Sequence, residues 1–304
     1  MLKDEEAVRG PAMAMARQVP LARRGAALRW LSRRWVEALI AVAIGAVCIG
    51  MFYPFLWLIF SSFKNGGEIV AIPVHLLPKE WTLSAYEMVW TRTNLPRSYA
   101  NSMIISSAVV VTVLFTSSLG GYVFGRLDFP ARNVLFAFIL STTMVPFVTL
   151  LIPLYIVIMK LGLLNTYAAV WLPSAVSSFG IFLCRQFIFT LPQDLDDAAR
   201  IDGAGDFAIY RLVVLPLIRP VLSALAIFTF LASFNSYLWP LVALNDKNLF
   251  TLPLILVQVS QTFGGMNYQG VMAGSVLASL PSLFVYLVFQ RNFVRGIALS
   301  GLKA

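Results

Sequence analysis

The stretch Asp196–Pro216, DDAARIDGAGDFAIYRLVVLP, decides how the chain is read. It places four aspartates and two arginines between two long runs that carry almost no charge. Pro192 suits the first turn of a helix, where its missing N–H costs nothing. Asp194, Asp196 and Asp197 then lie near the helix N-terminus, where the dipole favours negative charge. Leu195, Ala198, Ala199 and Asp202 share one face by i, i+3, i+4 spacing, and Asp196 and Arg200 are spaced for an ion pair on another. Gly203 ends the helix at a position that wants a left-handed residue. Asp206 is placed to cap a second helix, Phe207–Leu215, which Pro216 closes. A short helix with a small alanine face, a glycine corner and a return helix reads either as an ordinary charged loop or as a surface that a partner can approach closely.

The flanking runs settle the class. The chain is 304 residues long, 59% hydrophobic and 12% charged, with a mean hydropathy of +0.80; soluble domains carry about twice that charge. A membrane helix needs about 20 apolar residues, since each adds about 1.5 Å against a hydrocarbon core of about 30 Å. Six runs meet or approach that length: Ala38–Phe60, Met103–Phe124, Val134–Met159, Tyr167–Leu191, Pro220–Leu244 and Val271–Phe289. All six lack acids and lysines, and only the fourth holds an arginine, Arg185, near its end, where it can snorkel. The expected fold is therefore an all-α integral membrane domain with six transmembrane helices. About 36 residues precede the first run and no A-x-A site follows it, so it reads as an uncleaved anchor.

Lysines and arginines set the orientation. Seventeen fall in the N-terminal tail, after spans two and four, and in the C-terminal tail, against six in the alternate segments. Both termini and the opening stretch are thus expected in the cytoplasm. Residues 1–36 form a basic tail, 37–291 the six-span domain and 292–304 a second tail. The net charge of +9 fits cationic segments facing anionic lipid, with no call for nucleic acid. The two cysteines, Cys48 and Cys184, lie in apolar stretches, and with His75 the only histidine there is no His-based metal motif. GxxxG patterns at Gly121–Gly125 and Gly270–Gly274 suit close helix packing. No GxxxxGK[ST] loop is present to cradle ATP phosphates, and no carboxylate in the spans marks a proton or sodium relay.

The opening stretch also resembles the EAA loop of ABC importer permeases: E-A-A, three residues, G, nine residues, I-x-L-P. Here Asp197-Ala198-Ala199 precedes Gly203 at the right distance, and Val213, Val214, Leu215 and Pro216 follow nine residues later. Asp197 stands for glutamate and Val213 for isoleucine. The segments SSFKNGGEI, NSMIISS, NSYLWPLVAL, FTLPLIL and MAGSVLASLPSLFVYLVFQRNFVRGIALSGLKA are similar to the maltose-type, carbohydrate-importing subfamily, and closest to its shorter, six-span permease. Ala304 stands where that tail usually ends in glycine.

The resemblance implies a division of labour. The insert between spans four and five becomes a cytoplasmic coupling helix that docks on an ABC ATPase dimer through Asp197, Ala198, Ala199, Asp202, Gly203, Ala204, Leu215 and Pro216. The ATPase, and not this chain, uses ATP and Mg; this chain holds no cofactor or metal. A second permease, forming a heterodimer, and an extracytoplasmic solute-binding protein complete the importer in a bacterial inner membrane. Ser233, Asn235 and Tyr237 in span five and Thr142 and Thr143 in span three are candidates for the solute path, with interhelical hydrogen bonding as their other reading. Segment Asn245–Gln269 is expected outside, either probing the binding protein or as plain surface loop. A sugar is the expected solute; a polyol or glycerol phosphate ester is the alternative, and an ATP-independent carrier or membrane enzyme a third reading.

Overall fold

A computed structural model describes the backbone of residues 21–261 and 267–301 and the side chains of 35–261 and 267–289. Residues 1–20 and 302–304, and with them parts of both expected tails, lie outside the described residues. Contacts divide the chain into two compact units, Met1–Trp57 and Leu58–Ala304.

Among the described residues every regular element is helical. The first unit holds most of α1 (Leu21–Ser61), whose apolar part, Trp35–Ser61, is long enough to cross a bilayer. In the second unit α2 (Gly66–Ile69) and α3 (Ser84–Arg92) are short. The long α4 (Leu95–Arg126) leads to α5 (Arg132–Ser141) and α6 (Phe147–Lys160). Next come α7 (Tyr167–Trp171), α8 (Ser178–Ile188), α9 (Asp194–Ile201), α10 (Asp206–Ile209) and α11 (Leu215–Leu217). The chain continues through α12 (Arg219–Phe234), α13 (Leu238–Ala243), α14 (Leu252–Gln261) and α15 (Tyr268–Gly301). Four stretches are long and apolar enough to cross a membrane, or up to six if each of two bent pairs counts as one span.

Three expected spans are not single helices, the fourth, 167–191, being α7 and α8 with a 3-10 turn at Leu172–Ser174 between them. The run 134–159 turns by 103° between Met144 and Phe147. Pro146 lacks an N–H and is extended, and the hydroxyls of Ser141, Thr142 and Thr143 each donate to the carbonyl three residues back, competing with the helix ladder. The run 220–244 stops at Phe234, and α13 starts afresh after Asn235–Tyr237. The described residues of the expected loop 245–269 also hold helix: α14 buries Leu252, Leu254, Ile255 and Val259. Asn101 Nδ2 donates to the carbonyls of Asn248 and Phe250, both at 2.9 Å, while its Oδ1 accepts from the Tyr167 hydroxyl at 2.7 Å. Ser102 Oγ accepts from the Leu252 amide at 2.7 Å. The NSMIISS segment thus opens with the two residues that pin residues 248–252 to α4. At the tail end, 292–301 continue α15.

The centre of the second unit is the α4–α8 contact. A Cβ on Gly121 would lie 2.5 Å from Cys184 Cβ, and one on Gly125 3.2 Å from Ile188. From the other side, a Cβ on Gly180 would lie 2.2 Å from Ser117 Oγ. Small residues let these backbones approach where apolar burial supplies little drive, because lipid is as apolar as the partner. Gly270 and Gly274 serve α15 likewise: a Cβ on Gly274 would lie 2.7 Å from Leu256. Arg185 does more than snorkel. Its Nε donates to the Phe124 carbonyl at 3.0 Å, and its guanidinium lies over the Phe136 and Phe189 rings, 4.0 and 4.5 Å from their centroids.

Candidate functional site

Helix α9 begins with Asp194, Asp196 and Asp197 in its first turn, as the dipole favours. It ends on Gly203, whose φ of +84° is left-handed. The Gly203 amide donates to the Arg200 carbonyl at 3.0 Å and the Ala204 amide to the Ala199 carbonyl at 2.9 Å. Together these bonds make a Schellman close, which puts Ala199 and Ala204 on the same inner side. Both pack on a cluster formed by Tyr122, Ile188, Ile209, Tyr210, Val214 and Ile218. Ile209, Val214 and Ile218 are fully buried there, and each such side chain contributes about 1.5–3 kcal/mol.

The expected alanine face is therefore split. Ala199 turns inward, while Leu195, Ala198 and Asp202 stay exposed with Asp197, Gly203 and Ile201, the last 87% exposed. Phe207 also stands exposed. Leu215 and Pro216 are half-buried, with Leu215 against the inner cluster. The structure thus gathers all eight expected coupling residues into one unit, four on its outer side and four behind.

Three expected details change. Asp196 does not pair with Arg200: it is buried, and its Oδ2 lies 2.9 Å from Nε of Arg126 at the end of α4. That contact is coulombic; the hydrogen bonds of Arg126 run from Nη2 to the carbonyls of Leu191 and Pro192, at 2.9 and 3.4 Å. Removing one partner of such a buried pair costs about 3–5 kcal/mol. Arg200 instead binds Asp206 at 3.1 Å. Asp206 is the first residue of α10 and makes no side-chain cap, Gly205 holding that position. The return helix is not uniform either, since Tyr210–Val214 form a π turn between α10 and α11. Nothing in the local spacing could have named Arg126, which lies 70 residues from its partner.

The solute-path candidates separate. A cavity of about 790 Å³ lies among α4, α6, α12, α13 and the α7–α8 turn. Ser233 lines it, with Ser174, Ser177, Thr229, Ser236 and Trp239. Asn235 and Tyr237 do not, and the Asn235 amide is spent on the Leu231 carbonyl of its own helix at 2.9 Å. Thr142 and Thr143 do not reach it; their hydroxyls bend α5, and Thr142 also meets Ser178 Oγ at 3.0 Å. Trp239 is fixed by a 2.9 Å hydrogen bond from Nε1 to the Ala169 carbonyl.

The chain is helical among its described residues, with four to six stretches long and apolar enough to cross a membrane. It superposes with a TM-score of 0.78 and 26% identity on a chain of a bacterial ABC transporter involved in the import of the acidic polysaccharide alginate, covering 86% of this chain and 98% of that one. The chain belongs to the family described as binding-protein-dependent transport system inner membrane component, which matches residues 117–299. It is 37% identical to the arabinooligosaccharides transport system permease of Halalkalibacterium halodurans, over 87% of this chain and 96% of the relative. It is 35% identical to the diacetylchitobiose uptake system permease of Streptomyces coelicolor, over 81% and 82%. The chain is thus a non-catalytic, membrane-embedded permease subunit of an ABC importer.

Proposed function

We propose that this permease translocates a sugar, and that Asp194–Leu217 is the coupling unit through which a cytoplasmic ABC ATPase dimer, using ATP and Mg, drives it. The observation that carries the coupling role is the division of the unit into an exposed outer side, with Asp197, Ala198, Asp202 and Gly203, and an inner side held to the membrane helices. The short side chains of Asp197, Ala198, Asp202 and Gly203 admit a partner closely, the exposed Leu195, Ile201 and Phe207 beside them offer apolar contact, and a clamped rear prevents the knob from yielding when pushed. Support for a sugar comes from the oligosaccharide permeases among the relatives and from a cavity whose serines and Trp239 supply hydroxyls and an aromatic wall. In this reading a second permease closes the open side of that cavity, and an extracytoplasmic binding protein delivers the solute. Six spans, cytoplasmic tails at both ends and an inner-membrane location complete it.

Reconstitution tests the reading. The purified chain alone should hydrolyse no ATP. With its ATPase, second permease and sugar-loaded binding protein in proteoliposomes, hydrolysis should rise and the sugar accumulate. Robust hydrolysis by the lone chain, or no response to loaded binding protein, would refute it.

Orientation has its own check. Cysteines at the exposed positions Gly67 and Lys247 should react with an impermeant thiol reagent outside intact spheroplasts, in a background lacking Cys48 and Cys184. A cysteine at Asp202, also exposed, should react only after permeabilisation. Outside labelling at Asp202 would invert the topology and remove the coupling role.

A further inference from the structure

We infer that the buried Arg126–Asp196 ion pair is the strut that makes α4 move with the coupling unit, so that the unit's displacement reaches the cavity through α4 as well as along the chain. This rests on the coupling role proposed above.

The covalent routes out of the unit are interrupted. Towards α12 the chain passes a π turn at 210–214 and a 75° bend at Ile218. Towards α8 it passes the non-helical residues 189–193. By contrast, α4 runs unbroken for 32 residues, about 48 Å at the usual rise. Ser118, Tyr122 and Arg126 lie on one of its faces at i, i+4, i+8, and each touches the unit. The Ser118 hydroxyl is 2.8 Å from that of Tyr210. The Tyr122 and Tyr210 rings have centroids 5.5 Å apart. Arg126 holds Asp196 and the Leu191 carbonyl. Further along the same helix, Val109 and Val113 form a wall of the 790 Å³ cavity, and Asn101 and Ser102 fasten residues 248–252.

Apolar contacts are non-directional and allow sliding. A buried pair of charges anchored by further hydrogen bonds resists shear, because separating it leaves a charge unpaired in a dry place. Arg126 and Asp196 are therefore positioning residues. Neither lines the 790 Å³ cavity; they hold α4 to the moving part.

The test uses the complete importer in proteoliposomes, with sugar import and ATP hydrolysis measured on the same vesicles and normalised to assembled complex. Arg126→Gln and Asp196→Asn should keep the ATPase bound and hydrolysing, while sugar imported per ATP falls by about tenfold or more, the scale of breaking a buried pair. The double exchange Arg126→Asp with Asp196→Arg should restore the ratio at least in part. Should the single variants fail to accumulate, Arg126→Lys decides: it keeps the charge, loses the bonds to the Leu191 and Pro192 carbonyls, and should show a lowered ratio. An unchanged ratio in these variants would overturn the inference. So would a loss of import strictly proportional to loss of bound ATPase, which would make the pair a docking or folding element only. The wild-type complex in the same assay reports on docking itself, so failure of the strut is distinguishable from failure of the coupling role.

Discussion

Gly121→Val should leave less than about a tenth of the wild-type amount of folded protein, because overpacking a tight contact costs about 1–3 kcal/mol, and more where neither side can yield. The new Cβ would sit 2.5 Å from Cys184 Cβ and about as close as 3.0 Å to the backbone at Arg185. Backbone cannot swing aside as a side-chain tip can, so α4 and α8 would have to part. That parting would strand Arg185 from the Phe124 carbonyl and open the cluster beneath α9 and α10. The measurement is the amount extracted in mild detergent that elutes as a single symmetric peak. Gly67→Val, at a site with nothing within 4 Å, is the control and should behave as wild type. A normal yield for Gly121→Val would mean that the small-residue contact is not what holds these helices.

Gly203→Val should separate folding from function. Nothing lies within 4 Å of a Cβ built there, so the substitution meets no neighbour. Its penalty is conformational: at φ +84° a side-chain-bearing residue is strained by about 1–2 kcal/mol, and a β-branched one by more. The strain is relieved by giving up the Schellman close, which frees the Ala199 and Arg200 carbonyls and re-aims Asp197, Ala198 and Asp202. The variant should insert at near-normal levels, lose most sugar uptake and retain less ATPase through purification. Asp197→Ala should be milder, since it removes one exposed charge while the helix persists, and Asp197→Glu close to neutral. Normal uptake by Gly203→Val with its ATPase fully bound would reduce the unit to a loop.

The apolar helices and the glycine corner were legible in the sequence because both depend on local rules. Apolar length and the absence of charge reveal a membrane helix wherever its neighbours lie, and a glycine after a helical turn reveals a left-handed close. The bend after Thr143 was harder to read. Pro146 announced a disturbance, but the 103° turn also reflects three successive hydroxyls that withdraw to their own backbone, and one apolar run looks alike straight or bent. The helix α14 hid for a different reason: a ten-residue, largely apolar helix is too short to announce a span, and its docking depends on Asn101 and Ser102 some 150 positions earlier. Asp196 was misassigned because Arg200 is its neighbour by helical spacing, whereas the structure supplies a drier partner in Arg126. Among the solute candidates only Ser233 reached the cavity, since polarity within a span does not say which way a side chain faces.

The bend between α5 and α6 has a consequence for the medium it can tolerate. All ten residues from Ser141 to Leu150 are exposed, and a break in a helix is where carbonyl oxygens lose their ladder partners. Hydrocarbon offers no proton to such oxygens, whereas water or another polypeptide does. The outside of this subunit is therefore not one uniform oily jacket. Along the α5–α6 elbow it requires a wet or polypeptide-covered boundary, and a bilayer closing directly over that patch would have to admit water or be pushed back from it.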